Sequence, residues 1–93
     1  MIKTFKDRET AGVYFGYFAR HLPHYLQKTA LRKLLLIDEA RTINDLRMPP
    51  GNRLEELSGE MKSYHSIRIN GQWRIRFRWL NNMAFEVEIT DYH

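Results

Sequence analysis

No cysteine occurs among the 93 residues. That absence excludes disulfides, thiol nucleophiles and thiolate metal sites, and with them redox and zinc-ribbon readings. No apolar run approaches the roughly 18 residues that a membrane span requires, and the opening Met-Ile-Lys-Thr-Phe-Lys lacks the apolar stretch of a signal peptide. A cytosolic protein is expected. Glycine and proline are sparse, five and three residues, and they form no phosphate-cradling loop, no repeat and no low-complexity segment. The spacing of histidines and carboxylates suits no metal site, so neither metal nor cofactor is expected. What is present describes an ordinary soluble globular chain, 43% hydrophobic and 28% charged. Residues 1–93 are read as one domain with one core. The net charge of +4 favours an anionic partner, although charge becomes specific only where it clusters on a surface.

Helix signals fill the first half and strand signals the second. Residues 2–6 alternate, with Ile2 and Phe5 inward, as a short first strand would. From about Arg8, Ala11, Tyr14, Phe15, Phe18 and Leu22 recur at steps of three and four and predict an amphipathic helix with these residues in the core. Pro23 suits the start of a second helix, which carries Leu26, Ala30, Leu34 and Ile37 on one face, widened by Leu31 and Leu35, to about Ala40. Thr42 with Asp45 signals one further capped turn, and Met48-Pro49-Pro50-Gly51 ends any helix.

Three runs then alternate with the period of a strand. In Trp73-Arg74-Ile75-Arg76-Phe77-Arg78-Trp79 every odd position is apolar and every even one is arginine. Tyr64–Asn70 sets His65, Ile67 and Ile69 against Tyr64, Ser66 and Arg68, and the last run sets Met83, Phe85, Val87 and Ile89 against Glu86, Glu88 and Thr90. These predict an antiparallel meander whose inner face the helices cover. Directly opposed residues must share a face, so a three-residue loop over 80–82 is expected, pairing Trp79 with Met83, Arg76 with Glu86 and Arg74 with Glu88. The Asn70-Gly71 turn needs Gln72 as an extra residue to bring Ile69 beside Trp73.

The outer face admits two readings. Arg76 and Arg78 beside Glu86 and Glu88 form a solvated ion-pair ladder, each pair contributing roughly 0.2–1 kcal/mol. Alternatively, four arginines against two glutamates leave surplus cations to dock phosphate, with Arg68 lacking any expected acidic neighbour. The closing Asp91-Tyr92-His93 is either a frayed tail or the continuation of the last strand, bringing an acid, a phenol and an imidazole to the cationic face. Cations for phosphate and groups that move protons are what cleavage of an RNA backbone requires. His65 falls on the inward face and reads as a structural histidine; His21 and His24 flank Pro23 and read as capping or exposed.

The order of strand, two helices and three-stranded meander, with Pro49-Pro50-Gly51-Asn52-Arg53-Leu54-Glu55, Ser66-Ile67-Arg68-Ile69-Asn70, Gln72-Trp73-Arg74-Ile75 and terminal Asp91-Tyr92-His93, resembles the HigB toxins of type II toxin–antitoxin systems. These belong to the RelE/ParE superfamily, and the resemblance covers nearly the whole chain. It implies an α+β fold, β-α-α-β-β-β, with two N-terminal helices packed on one face of a small, mainly antiparallel sheet. It further implies a bacterial cytoplasmic toxin that cuts translated messenger RNA in the ribosomal A site, inhibiting translation and growth, restrained by a helix-turn-helix, HigA-like antitoxin that alone would contact operator DNA. The chemistry implied is metal-independent attack of a ribose 2′-OH on the adjacent phosphorus. His93 is the first choice for proton transfer; Tyr92 orients or stacks on a base, or bonds the phosphate; Asp91 orients His93 or Tyr92. Arg74 with Arg68 or Arg76 stabilises phosphate charge, and Arg78, Arg53 and Lys62 complete the RNA-binding set.

One departure stands out. Several family nucleases carry a histidine, and three residues later a lysine, after the proline-glycine loop; this chain has Glu55 and Ser58 there. Glu55 is either a substitute base, if burial raises its pKa, or a surface carboxylate. Weaker cleavage is the implied cost. Two alternatives belong to other classes: a ParE-like gyrase poison, which damages DNA and leaves messages intact, and a catalytically idle ribosome- or RNA-binding module.

Overall fold

The computed structural model describes residues 1–61 and 63–91. Two helices, α1 (Arg8–Tyr14) and α2 (His24–Glu39), precede an antiparallel sheet of β1 (Glu55–Glu56), β2 (Tyr64–Arg68), β3 (Trp73–Leu80) and β4 (Met83–Asp91), in spatial order β1-β2-β3-β4. This is the expected α+β arrangement. The expected first strand is reduced to two parallel bridges, Ile2 to Ala84 and Phe5 to Val87.

Helix α1 starts at Asp7, whose carboxylate accepts from the Thr10 backbone N–H at 2.7 Å. It ends well short of Leu22. Gly16, at φ +86°, turns the chain; Gly16 N–H donates to Val13 and Tyr17 N–H to Gly12, a Schellman closure that only a left-handed residue completes cheaply. The expected apolar stripe is therefore cut in two, and Phe15 and Phe18 are 65% and 67% exposed instead of joining the core. Val13, Ala19 and Thr10 are buried in their place. The Thr10 hydroxyl accepts from Ile89 N–H at 2.9 Å, which ties α1 to β4.

Helix α2 follows Pro23 and buries Leu26, Ala30, Leu34 and Ile37, as the spacing predicts. Leu31 is half-buried and Leu35 exposed, so the buried stripe is narrower than expected. The turn Ile43–Arg47 carries the Thr42/Asp45 capping box, and N–H donation from Thr42 and Arg41 holds the Asp45 carboxyl below its ordinary range. The next loop is anchored by Asn52. Fully buried, it donates to the Leu46 and Met48 carbonyls and accepts from the Lys33 ammonium of α2.

The turn between β2 and β3 has the expected form, with Ile69 N–H bonded to the Trp73 carbonyl at 2.9 Å. The β3–β4 register does not. The loop is two residues, Asn81-Asn82, both at positive φ as a type I′ hairpin requires, and it pairs Leu80 with Met83 and Arg78 with Phe85. An extra residue then enters β4 at Glu86, at φ +53°, after which Arg76 faces Glu88 and Arg74 faces Thr90. The bulge switches parity. Ala84, Val87 and Ile89 are the inward residues of β4, while Phe85 turns outward, its ring 5.1 Å from the Arg78 guanidinium. The expected pairs Trp79–Met83, Arg76–Glu86 and Arg74–Glu88 are thus corrected.

Candidate active site

Strand pairing lays the outer face out in rows. One row crosses the sheet as Glu55, Ser66, Arg76 and Glu88, and its neighbour as Arg68, Arg74 and Thr90. Opposed residues point to one face, so β1 brings Glu55 onto the arginine side and sends Glu56 to the other, where it lies 3.7 Å from His65.

Arg74 is the centre of this face and is only 6% exposed. Its Nε donates to Ser66 Oγ at 2.8 Å, and its Nη2 donates to the Arg53 carbonyl at 2.8 Å and the Ser66 carbonyl at 3.2 Å. Glu55 stands 4.0 Å from the same Nη2. The Arg53 carbonyl reaches Arg74 because Arg53 adopts the left-handed conformation, φ 45° and ψ 57°, which costs a non-glycine residue about 1–2 kcal/mol. A buried cation must be bonded on its donors. These acceptors hold the guanidinium in one orientation against the cleft floor.

The other arginines divide by partner. Arg76 bonds Glu88 through Nε, at 2.8 Å, and through Nη2. Arg78 bonds Glu86 at 3.0 Å, and Glu86 also accepts from the Tyr64 hydroxyl at 2.9 Å. These bonds from Tyr64 and Arg78 hold the Glu86 carboxyl below its ordinary range, and the bond to Glu86 raises the Tyr64 phenol above its own. The ion-pair ladder of Arg76 and Arg78 with Glu88 and Glu86 therefore exists, and Arg74 lies beside it with Glu55 at 4.0 Å. Arg53 and Arg68 have no ion pair among the described residues.

Two cavities open over the face. The larger, about 290 Å³, is lined by Glu55, Leu57, Ser66, Arg74, Arg76, Thr90 and Asp91. The smaller, about 190 Å³, is lined by Arg53, Glu55, Arg68, Asn70, Gly71 and Arg74. Glu55 and Arg74 are their common wall. Asp91 closes β4 opposite Trp73 and accepts from Gln72 Nε2 at 3.0 Å. The sheet thus gathers Arg74, Arg76, Glu55 and Asp91 around one cleft, with Arg53 and Arg68 around its neighbour. Arg78 lines neither, lying one row away beside Tyr64, Glu86 and Phe85. Glu55 is exposed, so burial is not the means by which it could act as a base. Lys62, Tyr92 and His93 lie outside the described residues. Ser66 and the Arg53 carbonyl, the two clamps of Arg74, escaped the sequence reading; a serine diagonal to an arginine on the outer face was the available signal.

A cleft on the sheet's outer face, walled by a fixed arginine and two carboxylates, on an α+β scaffold with its helices behind the sheet, matches the class of small RelE-like toxins. Residues 3–93 match the family model described as the RelE-like toxin of type II toxin-antitoxin system HigB. Over 73 residues, 78% of this chain and 77% of the relative, the sequence is 43% identical to Toxin HigB-1 of Vibrio cholerae serotype O1. Over the full length of both chains it is 29% identical to Endoribonuclease HigB of Proteus vulgaris. The chain belongs to the HigB-like family of RelE-like toxins, whose systems pair each toxin with an antitoxin.

Proposed function

We propose that this protein is a messenger-RNA endoribonuclease that acts on translated messages in the ribosomal A site and so arrests growth. Binding to a HigA-like helix-turn-helix antitoxin restrains it, and the bacterial cytoplasm is where it works. The observation that carries this reading is the immobilised guanidinium of Arg74 on the floor of a cleft with Glu55 and Asp91 on its walls. Donors fixed before reaction stabilise charge that develops in the transition state without reorganising when it does.

With the scissile phosphate over Arg74, the 2′-OH of the preceding ribose attacks phosphorus. The O2′–P bond forms, the P–O5′ bond breaks, and the products are a 2′,3′-cyclic phosphate and a 5′-OH. The 2′-OH proton passes to the Glu55 carboxylate, and His93 supplies a proton to the leaving O5′. Arg74, assisted by Arg76, neutralises the phosphorane oxygens, with Tyr92 against the base or phosphate and Asp91 orienting the terminal residues. Arg53, Arg68, Arg78 and Lys62 hold the remaining backbone. The roles of Tyr92, His93 and Lys62 rest on sequence and family likeness, and Asp91 on the cleft wall supports the first two.

The test is to map 5′ ends of cellular messages after brief expression of wild type, His93→Gln and Arg74→Ala. New 5′-OH ends within translated frames, lost in both variants, are expected. Intact messages with broken chromosomal DNA would instead identify a gyrase poison, and toxicity that survives His93→Gln without cleavage would identify an idle binding module.

A further inference from the structure

Resting on the nuclease reading, we infer that the smaller cavity is the subsite for the phosphate on the 5′ side of the reacting ribose, and that the RNA strand runs 5′ to 3′ from the Asn70-Gly71 turn toward the end of β4. The argument begins with charge. Arg76 and Arg78 are paired with Glu88 and Glu86, whereas Arg53 and Arg68 have no carboxylate partner among the described residues and line one small cavity together. The turn leaves that cavity open. Gly71 carries no side chain over Arg68, whose Nη2 lies 3.7 Å from where a Cβ would stand. Asn70 Oδ1 accepts from Gln72 and Trp73 N–H groups, at 2.8 and 2.9 Å, which fixes the amide that lines the same wall. Two guanidiniums and an oriented amide form a site for a phosphodiester.

Polarity follows from the shared wall. Arg68 and Arg74 are directly paired across β2 and β3, so their side chains start about 5 Å apart and serve neighbouring phosphates. Between two consecutive phosphates of RNA lies one ribose with one 2′-OH. Glu55 is the carboxylate common to both cavities, so that ribose lies against it. If the smaller cavity holds the 5′ phosphate, the intervening ribose carries the nucleophile, and the carboxylate faces the proton it must accept. In the opposite direction the same carboxylate would face the departing O5′, where negative charge grows and a second anion is repulsive.

Single-turnover cleavage of ribosome-bound messages tests the strand path with a neutral methylphosphonate placed either at the phosphate 5′ to the reacting nucleotide (the 5′ substitution) or at the phosphate one nucleotide 3′ of the scissile one (the 3′ substitution). For wild type the 5′ substitution is expected to slow cleavage about tenfold, the cost of one charge-assisted contact, and the 3′ substitution to do less. Arg68→Ala should slow the unmodified message by a similar factor and become indifferent to the 5′ substitution, with Arg68→Lys recovering part of the sensitivity. Sensitivity to the 3′ substitution that Arg68→Ala removes would reverse the strand and overturn the inference. So would additive effects of Arg68→Ala and the 5′ substitution. Either failure leaves wild-type cleavage of the unmodified message intact; loss of that cleavage would sink the nuclease reading as well.

Discussion

Replacing Arg74 by alanine separates a catalytic cation from a structural one, because the structure sets the two costs at different sizes. The side chain is 6% exposed and donates to Ser66 Oγ, the Ser66 carbonyl and the Arg53 carbonyl. Bonds from a charged donor contribute about 1.5–3 kcal/mol each, but removing the guanidinium also removes the penalty of burying it. Ser66 lines the open cleft of about 290 Å³ and Arg53 the neighbouring one of about 190 Å³, so water replaces the lost donors. The net loss of stability should be about 1–2 kcal/mol, read by urea unfolding or as a fall in Tm of roughly 5–15 °C. From the usual 5–15 kcal/mol, that leaves about 99% or more of the protein folded at 25 °C. Loss of a preorganised transition-state donor costs about 100- to 1,000-fold in rate. Cleavage of a ribosome-bound message should therefore fall by two to three orders of magnitude while the unfolding transition remains cooperative. Arg74→Lys should lie between, since an ammonium keeps the charge but cannot reproduce the fork toward serine and carbonyl. A loss of cleavage below about fivefold at the stated stability cost would refute the assignment and make Arg74 a structural cation.

Glu55→Gln keeps the shape and removes the proton acceptor, so kcat should fall about 100-fold with KM little changed; an equal rise in KM alone would show a binding role instead. Arg53→Gly relieves a left-handed backbone and should raise stability by about 0.5 kcal/mol, the strain relief offset by the looser unfolded chain, while lowering cleavage through the lost guanidinium; calorimetry and a cleavage assay should move in opposite directions. His65 is held below its ordinary pKa by burial, opposed by Glu56, so the unfolded chain binds the proton more readily. Its contribution to stability is complete above the unfolded value of about 6.5 and is lost as pH falls below it. Stability measured from pH 7 to 5 should decline, and His65→Phe, which keeps the stacking on Phe77, should flatten that decline; an unchanged slope would assign it to other groups.

How much was legible divides along physical lines. Long-range periodicity was readable where nothing interrupts it: α2 buries the four residues that its spacing marks, and the arginines of β3 share the outer face. Interruption by one residue was not. Gly16 ended α1 with a closure that apolar spacing does not register, so Phe15 and Phe18 counted as core when they are exposed. In β4 the parity argument correctly required one extra residue but placed it in the loop; two asparagines already favour a two-residue turn at positive φ, which forces the extra residue into the strand. Of the candidate site, the arginine rows were visible in alternation, and Asp91 was visible as the residue at which the last strand run ends. The carbonyl of Arg53 was not, because it depends on a backbone conformation and on a contact 21 residues away in sequence.

The bulge at Glu86 has a consequence for chemistry that a continuous ladder would not allow. With the observed two-residue turn and no bulge, Arg76 would lie opposite Val87 and Arg74 opposite Ile89, setting the outer face of β3 against the inner face of β4. The observed shift carries Glu88 to Arg76, gives Glu86 to Arg78 and Tyr64, and leaves neutral Thr90 opposite Arg74. Arg76 and Arg78 each keep a glutamate of β4, while Arg74 is held by Ser66, the Arg53 carbonyl and Glu55. Glu86 accepts an unfavourable φ of +53° to do this, a strain of about 1–2 kcal/mol set against the charge-assisted bonds it accepts from Arg78 and the Tyr64 hydroxyl. The bulge also keeps Val87 and Ile89 on the inner face, where both are buried. The same shift sets neutral Thr90 rather than a β4 glutamate across from Arg74, so that the buried guanidinium meets Glu55 of β1 at 4.0 Å and the two residues form the common wall of both cavities.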